Sequence, residues 1–268
     1  MNILVIGNGF DLAHGLPTRY TDFLKFINVF LDYKKNCEDL DSDDQEKYSY
    51  IDDNDEERDY LFYFQKLFDK NKKLYKELQE VINKNTWLKF FIKIYYKRGT
   101  WQKERWIDFE LEISQMIQYF DKFMDVIKEQ AERGNKEIEI EDQLNQLLNN
   151  LSDIMKETVA SIKSRLKNEI CVLPEIDEDL KELEKQKHKL IKDLNKLIRC
   201  LEIYLSDFIN NSKIEYILPD IKSLPNINKV LSFNYTNTYK KLYKKKYITE
   251  IDYIHGKANR SNTIEAIQ

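Results

Sequence analysis

The hydrophobic pattern at the start of the chain changes from a continuous run to a helical repeat. The run of four hydrophobic residues beginning at Ile3 is rich in β-branched side chains and ends at the sequence Gly-Asn-Gly. Such a run predicts a strand that is buried on both faces and central in its sheet. After Pro17, hydrophobic residues recur every three or four positions, which predicts a helix with Thr21 as a candidate N-cap. The predicted order is strand, glycine-rich loop, helix.

The middle of the chain has a helical period almost throughout. Between residues 60 and 211 hydrophobic side chains repeat every three to four positions, which predicts a large helical domain. Two regular stripes, at residues 144–166 and 180–208, are separated by a break that contains Pro174. An antiparallel helical hairpin packed within one chain is the simplest interpretation. The alternative is that the stripes meet in a homo-oligomer.

Strand signals return only near the end of the chain. Hydrophobic segments at residues 229–234 and 251–256 flank a lysine-rich segment at 239–247, an arrangement typical of a βαβ unit. Because parallel strands need a long crossover, one sheet built from both chain ends accommodates the helices between them. We therefore predict an α/β fold with a Rossmann-like core at residues 1–36 and 212–268. A solvated acidic loop at 37–59 and an inserted helical domain at 60–211 complete the prediction.

Composition narrows the function classes. The 268 residues are 34% charged and 13% aromatic with a net charge of −4, which favours a folded, helix-rich protein and gives no general attraction to nucleic acid. The lysines at 240–246 indicate a solvated helix face, with phosphate contact as the alternative. Three widely spaced cysteines fit neither a disulfide framework nor a zinc site, which favours the cytoplasm. No stretch is long and apolar enough for a membrane span, so no membrane partner is expected.

The three predicted strands all end in residues suited to a binding site. Gly7-Asn8-Gly9 follows the first strand, Asn234 the second and His255 the third. Ligands bind at the carboxyl ends of strands in open parallel sheets, so these endings are expected to converge. Each residue also has a structural interpretation: a tight glycine turn, an asparagine that bonds its own backbone, a satisfied histidine, and Asp11 as a helix cap.

The three strand ends resemble those of sirtuins, in the same order along the chain. The segment GNGFDLAHGLP at residues 7–17 is similar to the sirtuin nucleotide loop, SFN at 232–234 to its Thr-Gln-Asn strand end, and YIHG at 253–256 to its catalytic His-Gly. Together with WIDFE at 106–110 and FNYT at 233–236, these motifs resemble the AbiH family of bacteriophage abortive infection proteins. Members of that family pair a sirtuin-like Rossmann core with helical insertions.

The resemblance implies an antiphage protein that takes NAD as ligand or substrate and cleaves the bond between nicotinamide and ribose. Asn234 would orient the ribose or the attacking water, and the imidazole of His255 would accept a proton near neutral pH. No metal is implied, and a phage-derived trigger is an expected partner. The residues implied to bind the cofactor are Gly7, Asn8, Gly9, Asp11, Gly15, Pro17, Ser232 and Gly256.

Several departures from the sirtuin pattern keep other functions open. Thr18-Arg19-Tyr20 stands where sirtuins have Asp-Phe-Arg, Thr236 replaces a strand-end aspartate, and the four zinc-binding cysteines of the deacylases are missing. Only twelve residues follow Gly256, which is too few for the further strand and loop that hold the adenosine end in sirtuins, so a shortened or split gene product is expected. One alternative is a non-catalytic nucleotide-sensing or helical interaction module. Another is a metal-dependent nuclease that uses Asp11, Asp108, Glu110 and His255.

Overall fold

Helices make up most of the structure. The computed structural model describes residues 1–39, 55–97, 108–133, 173–212, 214, 216–243 and 250–257. In chain order the described elements are β1 (Ile3–Ile6), α1 (Asn8–Ala13), α2 (Tyr20–Asp39), α3 (Asp55–Lys70), α4 (Lys72–Ile82), α5 (Thr86–Lys97), α6 (Phe109–Arg133), α7 (Leu173–Ile203), a π-helical turn (Tyr204–Phe208), a 3-10 turn (Ile209–Asn211), α8 (Pro219–Ser223), β2 (Lys229–Ser232), α9 (Thr238–Leu242) and β3 (Glu250–Tyr253). The three predicted strands, the helix after Pro17 and the helical character of α3 to α7 and α9 are therefore confirmed. The prediction of a glycine-rich loop directly after β1 is wrong in part, because Asn8–Ala13 form α1, and the short helix α8 was not predicted.

The strands form one small parallel sheet in the order β1-β2-β3. Ile6, at the end of β1, lies opposite Ser232, which in turn lies opposite Tyr253. One face of the sheet packs around Val230, which is fully buried, against side chains of α1, α8 and α9. On the other face Ile3 and Val5 are 51% and 60% exposed. Within the described sheet β1 is an edge strand, so the prediction that it is central and buried on both faces is wrong.

An aromatic cluster holds α2 against α3, α4 and the π-helical turn. Phe26 of α2 lies 5.0 Å from the ring of Phe64 in α3 and 4.8 Å from that of Tyr204. Phe30, one turn further along α2, lies 5.6 Å from Tyr75 in α4. These rings are buried, and tilted or edge-on aromatic pairs add to the free energy of burial. The periodicity after Pro17 thus marks the main packing face of this part of the chain.

The N-terminus of α2 differs from its prediction. The helix begins at Tyr20, so Thr21 lies inside the first turn and is not the N-cap. The carboxylate of Asp22 instead accepts a hydrogen bond from the backbone N of Arg19 at 2.9 Å. An acidic side chain at this position satisfies a backbone donor that the helix itself leaves unpaired.

A polar junction fixes the start of α5 to the middle of α7. The carboxylate Oδ2 of Asp193 accepts hydrogen bonds from the backbone N and the hydroxyl of Thr86, at 3.0 and 2.7 Å. Asn85 caps α5 by accepting from the backbone N of Leu88 at 3.1 Å, and it donates to the carbonyl of Asp193 at 2.9 Å. Asp193 is only 3% exposed. A capping interaction supplied from another helix therefore joins two segments that are distant in sequence.

Replacing Asp193 with alanine is expected to lower the free energy of unfolding by about 2–3 kcal/mol, because it leaves the donors of Thr86 without their partner in a buried position. Thermal unfolding followed by circular dichroism measures the change. Asp121→Ala is the matched control, since that exposed carboxylate only meets Lys187 at 3.6 Å on the surface, a pair worth little. Equal melting temperatures for the two variants would contradict the role assigned to Asp193.

The chain forms two compact units, one comprising Met1–Asn83 with Ile198–Gln268 and the other Lys84–Leu197. The domain boundaries predicted from the sequence, 1–36 with 212–268, 37–59 and 60–211, stay predictions. Most of the predicted acidic loop and the whole stripe at 144–166 lie outside the described residues, so the helical hairpin also stays a prediction. Among the helices that the structure describes, none has the length and apolar character needed to cross a membrane.

Candidate functional site

The carboxyl ends of the three strands form the candidate site. The sheet pairing continues just beyond the strands: the backbone N of Phe233 donates to the carbonyl of Ile6 at 2.9 Å, and that of Ile254 donates to the carbonyl of Ser232 at 2.9 Å. The residues that leave β1, β2 and β3 are therefore held side by side. This arrangement places Gly7, Asn234 and His255 at one edge of the sheet.

Asn234 connects the end of β2 to the glycine loop. Its side-chain amide donates from Nδ2 to the carbonyl of Gly7 at 2.9 Å, across 227 positions of sequence. The hydroxyl of Ser232 accepts from the backbone N of Asn234 and donates to its carbonyl, both at 3.2 Å. Ser232 thus shapes the local turn, while the amide of Asn234, only 6% exposed, fixes the position of Gly7.

The glycine loop is anchored at both ends. The hydroxyl of Thr18 donates to the side-chain carbonyl of Asn8 at 2.6 Å, and the hydroxyl of Tyr204 donates to the carbonyl of Pro17 at 2.5 Å. Gly15 has φ = 73°, a conformation that residues with a Cβ rarely adopt, so this position needs glycine for the turn. The segment between β1 and α2 is consequently held by one internal hydrogen bond and by the hydroxyl of Tyr204 from outside it.

Gly7 and Gly9 lack such an internal reason to be glycine. The φ of Gly7 is −134°, which any residue can adopt, and Gly9 is not among the described glycines with positive φ. A Cβ built on either residue would have no heavy atom within 4 Å. The space beside both glycines is therefore open, which a ligand would need in order to approach the protein backbone closely.

Asp11 is a buried residue of α1, the short helix inside the segment between β1 and α2. Its Oδ2 accepts a hydrogen bond from the hydroxyl of Thr236 at 2.6 Å, and the hydroxyl of Thr238 donates in turn to that of Thr236 at 3.2 Å. Burial raises the pKa of the Asp11 carboxyl, although the hydroxyls of these two threonines oppose the shift. The cap interpretation of Asp11 is not borne out by its contacts, because its described hydrogen bond goes to a side chain 225 positions away.

His255 follows β3 in a turn that ends at Gly256. The φ of Gly256 is 84°, and its backbone N donates to the carbonyl of Tyr253 at 3.2 Å. His255 is exposed, with its ring centroid 5.5 Å from that of Phe233 and 6.4 Å from that of Tyr235. The imidazole is therefore open to solvent beside two aromatic rings at the end of β2.

His14 has a structural role. It is buried, and its Nδ1 donates to the carbonyl of Phe10 at 2.6 Å. Its Nε2 lies 2.7 Å from the hydroxyl of Tyr243, which also accepts from the backbone N of Leu218 at 2.9 Å. With both ring nitrogens engaged, His14 holds α1 against α9 and the segment before α8.

Thr238 and Tyr253 also interact with Asp11, which the sequence motifs did not indicate. Thr236 and Thr238 alternate after the end of β2, and Tyr253 is the last residue of β3. Burial raises the pKa of the Tyr253 phenol, and the nearby carboxylate of Asp11 raises it further. The alternation of threonines was an available signal, but only the fold shows that they face Asp11.

Other candidate residues have structural surroundings. Asp108 accepts from the backbone N of Leu111 at 3.0 Å and thus caps α6, whose second residue is Glu110. Phe109 stacks on Phe91 with ring centroids 3.9 Å apart. Trp106 and Ile107 lie outside the described residues. Burial strongly raises the pKa of the Cys200 thiol, so this side chain is an unsuitable nucleophile.

Among the residues that the structure describes, no group of three or more histidine, cysteine, aspartate or glutamate side chains is arranged to hold a metal ion. The carboxylates proposed for a metal-dependent nuclease therefore form no such cluster there.

Together the fold and site define a mostly helical protein whose polar candidate site lies at the carboxyl edge of a small parallel sheet. The family model described as "Bacteriophage abortive infection AbiH" matches residues 3–265, nearly the whole chain. The chain therefore belongs to the AbiH family, as its motifs predicted, and this membership implies a role in bacteriophage abortive infection. No curated protein and no solved structure matches the chain.

Proposed function

We propose that this protein binds NAD at the carboxyl edge of its sheet and hydrolyses the bond between nicotinamide and ribose during phage infection. The observation that carries the proposal is the direct bond between two strand ends: the Asn234 amide holds Gly7 at the start of a loop that has open space beside its glycines. The sirtuin-like order of the three strand-end motifs supports a Rossmann-like nucleotide site of this kind.

The residues of the site fit the parts of a dinucleotide. The open backbone at Gly7 and Gly9 allows a pyrophosphate to approach closely, since no described side chain fills that space. Asn8, tied to Thr18, and Pro17, tied to Tyr204, keep the loop in one conformation. Ser232, Gly15 and Gly256 contribute the turns on which this shape depends. A preorganised loop reduces the ordering that binding would otherwise require.

In the proposed reaction, water adds across the glycosidic bond, giving nicotinamide, ADP-ribose and a proton. Positive charge develops on the ribose as the bond breaks, as in other glycosidic cleavages. The exposed imidazole of His255 accepts the proton from the attacking water. Asn234, whose amide is held at the glycine loop, orients the ribose end of the substrate.

A non-catalytic nucleotide sensor is the second candidate, and one observation favours it. Thr18 and Arg19 occupy positions where sirtuins have residues of the nicotinamide pocket. Here the Thr18 hydroxyl is bonded to Asn8, and the backbone N of Arg19 is bonded to Asp22 at the start of α2. The Thr18 hydroxyl therefore serves the loop, and Thr18 supplies no carboxylate where sirtuins have the aspartate of that pocket.

Incubation of the purified protein with NAD, followed by chromatography of nicotinamide and ADP-ribose, tests the proposal. We expect wild type to release both products in equal amounts and Asn234→Ala to lose the activity. Calorimetric titration with NAD runs in parallel. Binding without product release would favour the sensor. If the protein neither bound NAD nor released products, both candidates would be ruled out for the isolated protein. Chromatography of NAD, nicotinamide and ADP-ribose from cells during phage infection tests whether a phage-derived trigger is required.

A further inference from the structure

Asp11 is a buried carboxyl group with one oxygen unsatisfied. The residue is 1% exposed, and its Oδ1 has no hydrogen-bond partner. Oδ2 accepts the hydrogen bond from Thr236, whereas Oδ1 has no hydrogen bond of normal geometry, although the Thr238 hydroxyl and the Asn234 amide lie near the carboxyl group. Buried polar atoms are nearly always hydrogen-bonded, and a group left in this state calls for an explanation.

No cationic side chain among the described residues forms an ion pair with Asp11. The groups around it are the hydroxyls of Thr236 and Thr238, the amide of Asn234, and the titratable side chains of His14 and Tyr253. The ring nitrogens of His14 are engaged with the Phe10 carbonyl and the Tyr243 hydroxyl. A buried carboxylate without a paired cation is costly unless a positive charge comes from elsewhere.

We propose that Asp11 is a specificity-determining residue that makes the site select a ligand whose ring carries a positive charge, the oxidised nicotinamide ring over its reduced, neutral form. This inference rests on the proposed function. Asp11 shares its immediate surroundings with Asn234, the residue that holds the glycine loop, and with Tyr253 at the end of β3. Its charge acts through space in a poorly solvated region, where electrostatic attraction is weakly screened.

If Asp11 attracts the cationic ring, its ionisation sets the sign of the pH dependence of NAD binding. Burial raises the pKa of Asp11, so the carboxyl holds its proton to a higher pH than an exposed aspartate does. A cationic ring favours the ionised form, and binding therefore releases that proton. Affinity for NAD is expected to be weak below the pKa of Asp11 and to strengthen as pH rises through it, by up to tenfold per pH unit. NADH, whose ring is neutral, should lack this dependence.

Dissociation constants for NAD and NADH, measured by calorimetry on the full chain between pH 5 and 8.5, test the inference. Wild type is expected to prefer NAD by at least about tenfold at pH 8. Asp11→Asn keeps the shape of the side chain but removes its charge, so the preference and the pH dependence due to Asp11 should disappear. Asp32→Asn, an equal change of charge on an exposed part of α2, should leave both intact.

A second pair of variants keeps the test valid if Asp11→Asn does not fold. Thr236→Val removes the hydroxyl that stabilises the Asp11 anion, so the pH midpoint for NAD binding should move upward. Thr236→Ser restores a hydroxyl and should restore the midpoint. His14 and Tyr253 are retained in all these variants, which isolates the contribution of Asp11. Unchanged NAD preference and pH dependence in Asp11→Asn, or an unmoved midpoint in Thr236→Val, would overturn the inference while the proposed function stands. If neither nucleotide binds wild type, the proposed function fails and this inference with it.

Discussion

Replacement of His255 with alanine is expected to slow nicotinamide release by about 10²–10⁴-fold, the usual contribution of a general base. The stability of the protein should hardly change, because His255 is exposed and its described contacts are with the rings of Phe233 and Tyr235. NAD affinity should also be largely retained, since the glycine loop that we propose to bind the pyrophosphate follows a different strand. The measurement is the single-turnover rate of nicotinamide release, with the melting temperature recorded for each variant.

His188→Ala provides the matched control, because this histidine is also exposed and its Nδ1 contacts only the carbonyl of Glu184, one turn earlier in α7. Its variant should release nicotinamide at the wild-type rate. Equal rates for His255→Ala and wild type would remove His255 from the reaction and leave Asn234 without its proposed catalytic partner.

Replacement of Gly9 with alanine is expected to weaken NAD binding by about 100-fold, equivalent to ~2.7 kcal/mol, while the protein becomes no less stable. Gly9 lies in α1, where alanine is favoured over glycine by up to ~1 kcal/mol, and the added Cβ would meet no described atom within 4 Å. The new methyl group would instead occupy the space in which we propose that the pyrophosphate binds. Calorimetry gives the dissociation constant, and thermal unfolding gives the stability.

Gly15→Ala, in contrast, is expected to lower the stability of the protein, so it shows what a structurally required glycine looks like in the same measurements. Its φ of 73° disfavours any side chain with a Cβ, so the variant should lose about 1–2 kcal/mol of stability. Wild-type NAD affinity in Gly9→Ala would show that the open space beside this glycine is not where the nucleotide binds.

The helices and strands of this protein could be predicted because their signals are local. The four hydrophobic residues before Gly7 form β1, and the repeated hydrophobic positions at 61–68 and 87–91 lie on α3 and α5. The long stripe ending at Phe208 forms α7 and the π-helical turn, although α7 already begins at Leu173, with Pro174 in its first turn where proline is tolerated. Cap positions were less predictable, as Thr21 and Asp22 show, because neighbouring polar residues compete for the same backbone donors.

The candidate site was predictable only in part. The sequence placed Gly7, Asn234 and His255 at strand ends, and parallel pairing brings those ends to one edge. The sequence did not show which of the neighbouring polar residues are buried or what their side chains bond. Asp11 was interpreted as a possible helix cap, yet its carboxylate accepts a hydrogen bond from Thr236. His14 lies in a segment predicted to be a loop, yet its ring is bonded to Tyr243. Both partners lie more than two hundred positions away.

The sequence by itself determined the order of elements, the family and the residues that end each strand, because hydrophobic period and turn chemistry act over a few neighbouring residues. Only the tertiary structure decided that β1 lies at the edge of the described sheet with Val5 exposed, and that Asp11 is buried with no ion pair to any described cationic side chain. The repeat of hydrophobic positions shows which side of a helix or strand a residue occupies. What covers that side, and hence whether a side chain there is solvated, paired or unsatisfied, depends on segments that are distant in sequence.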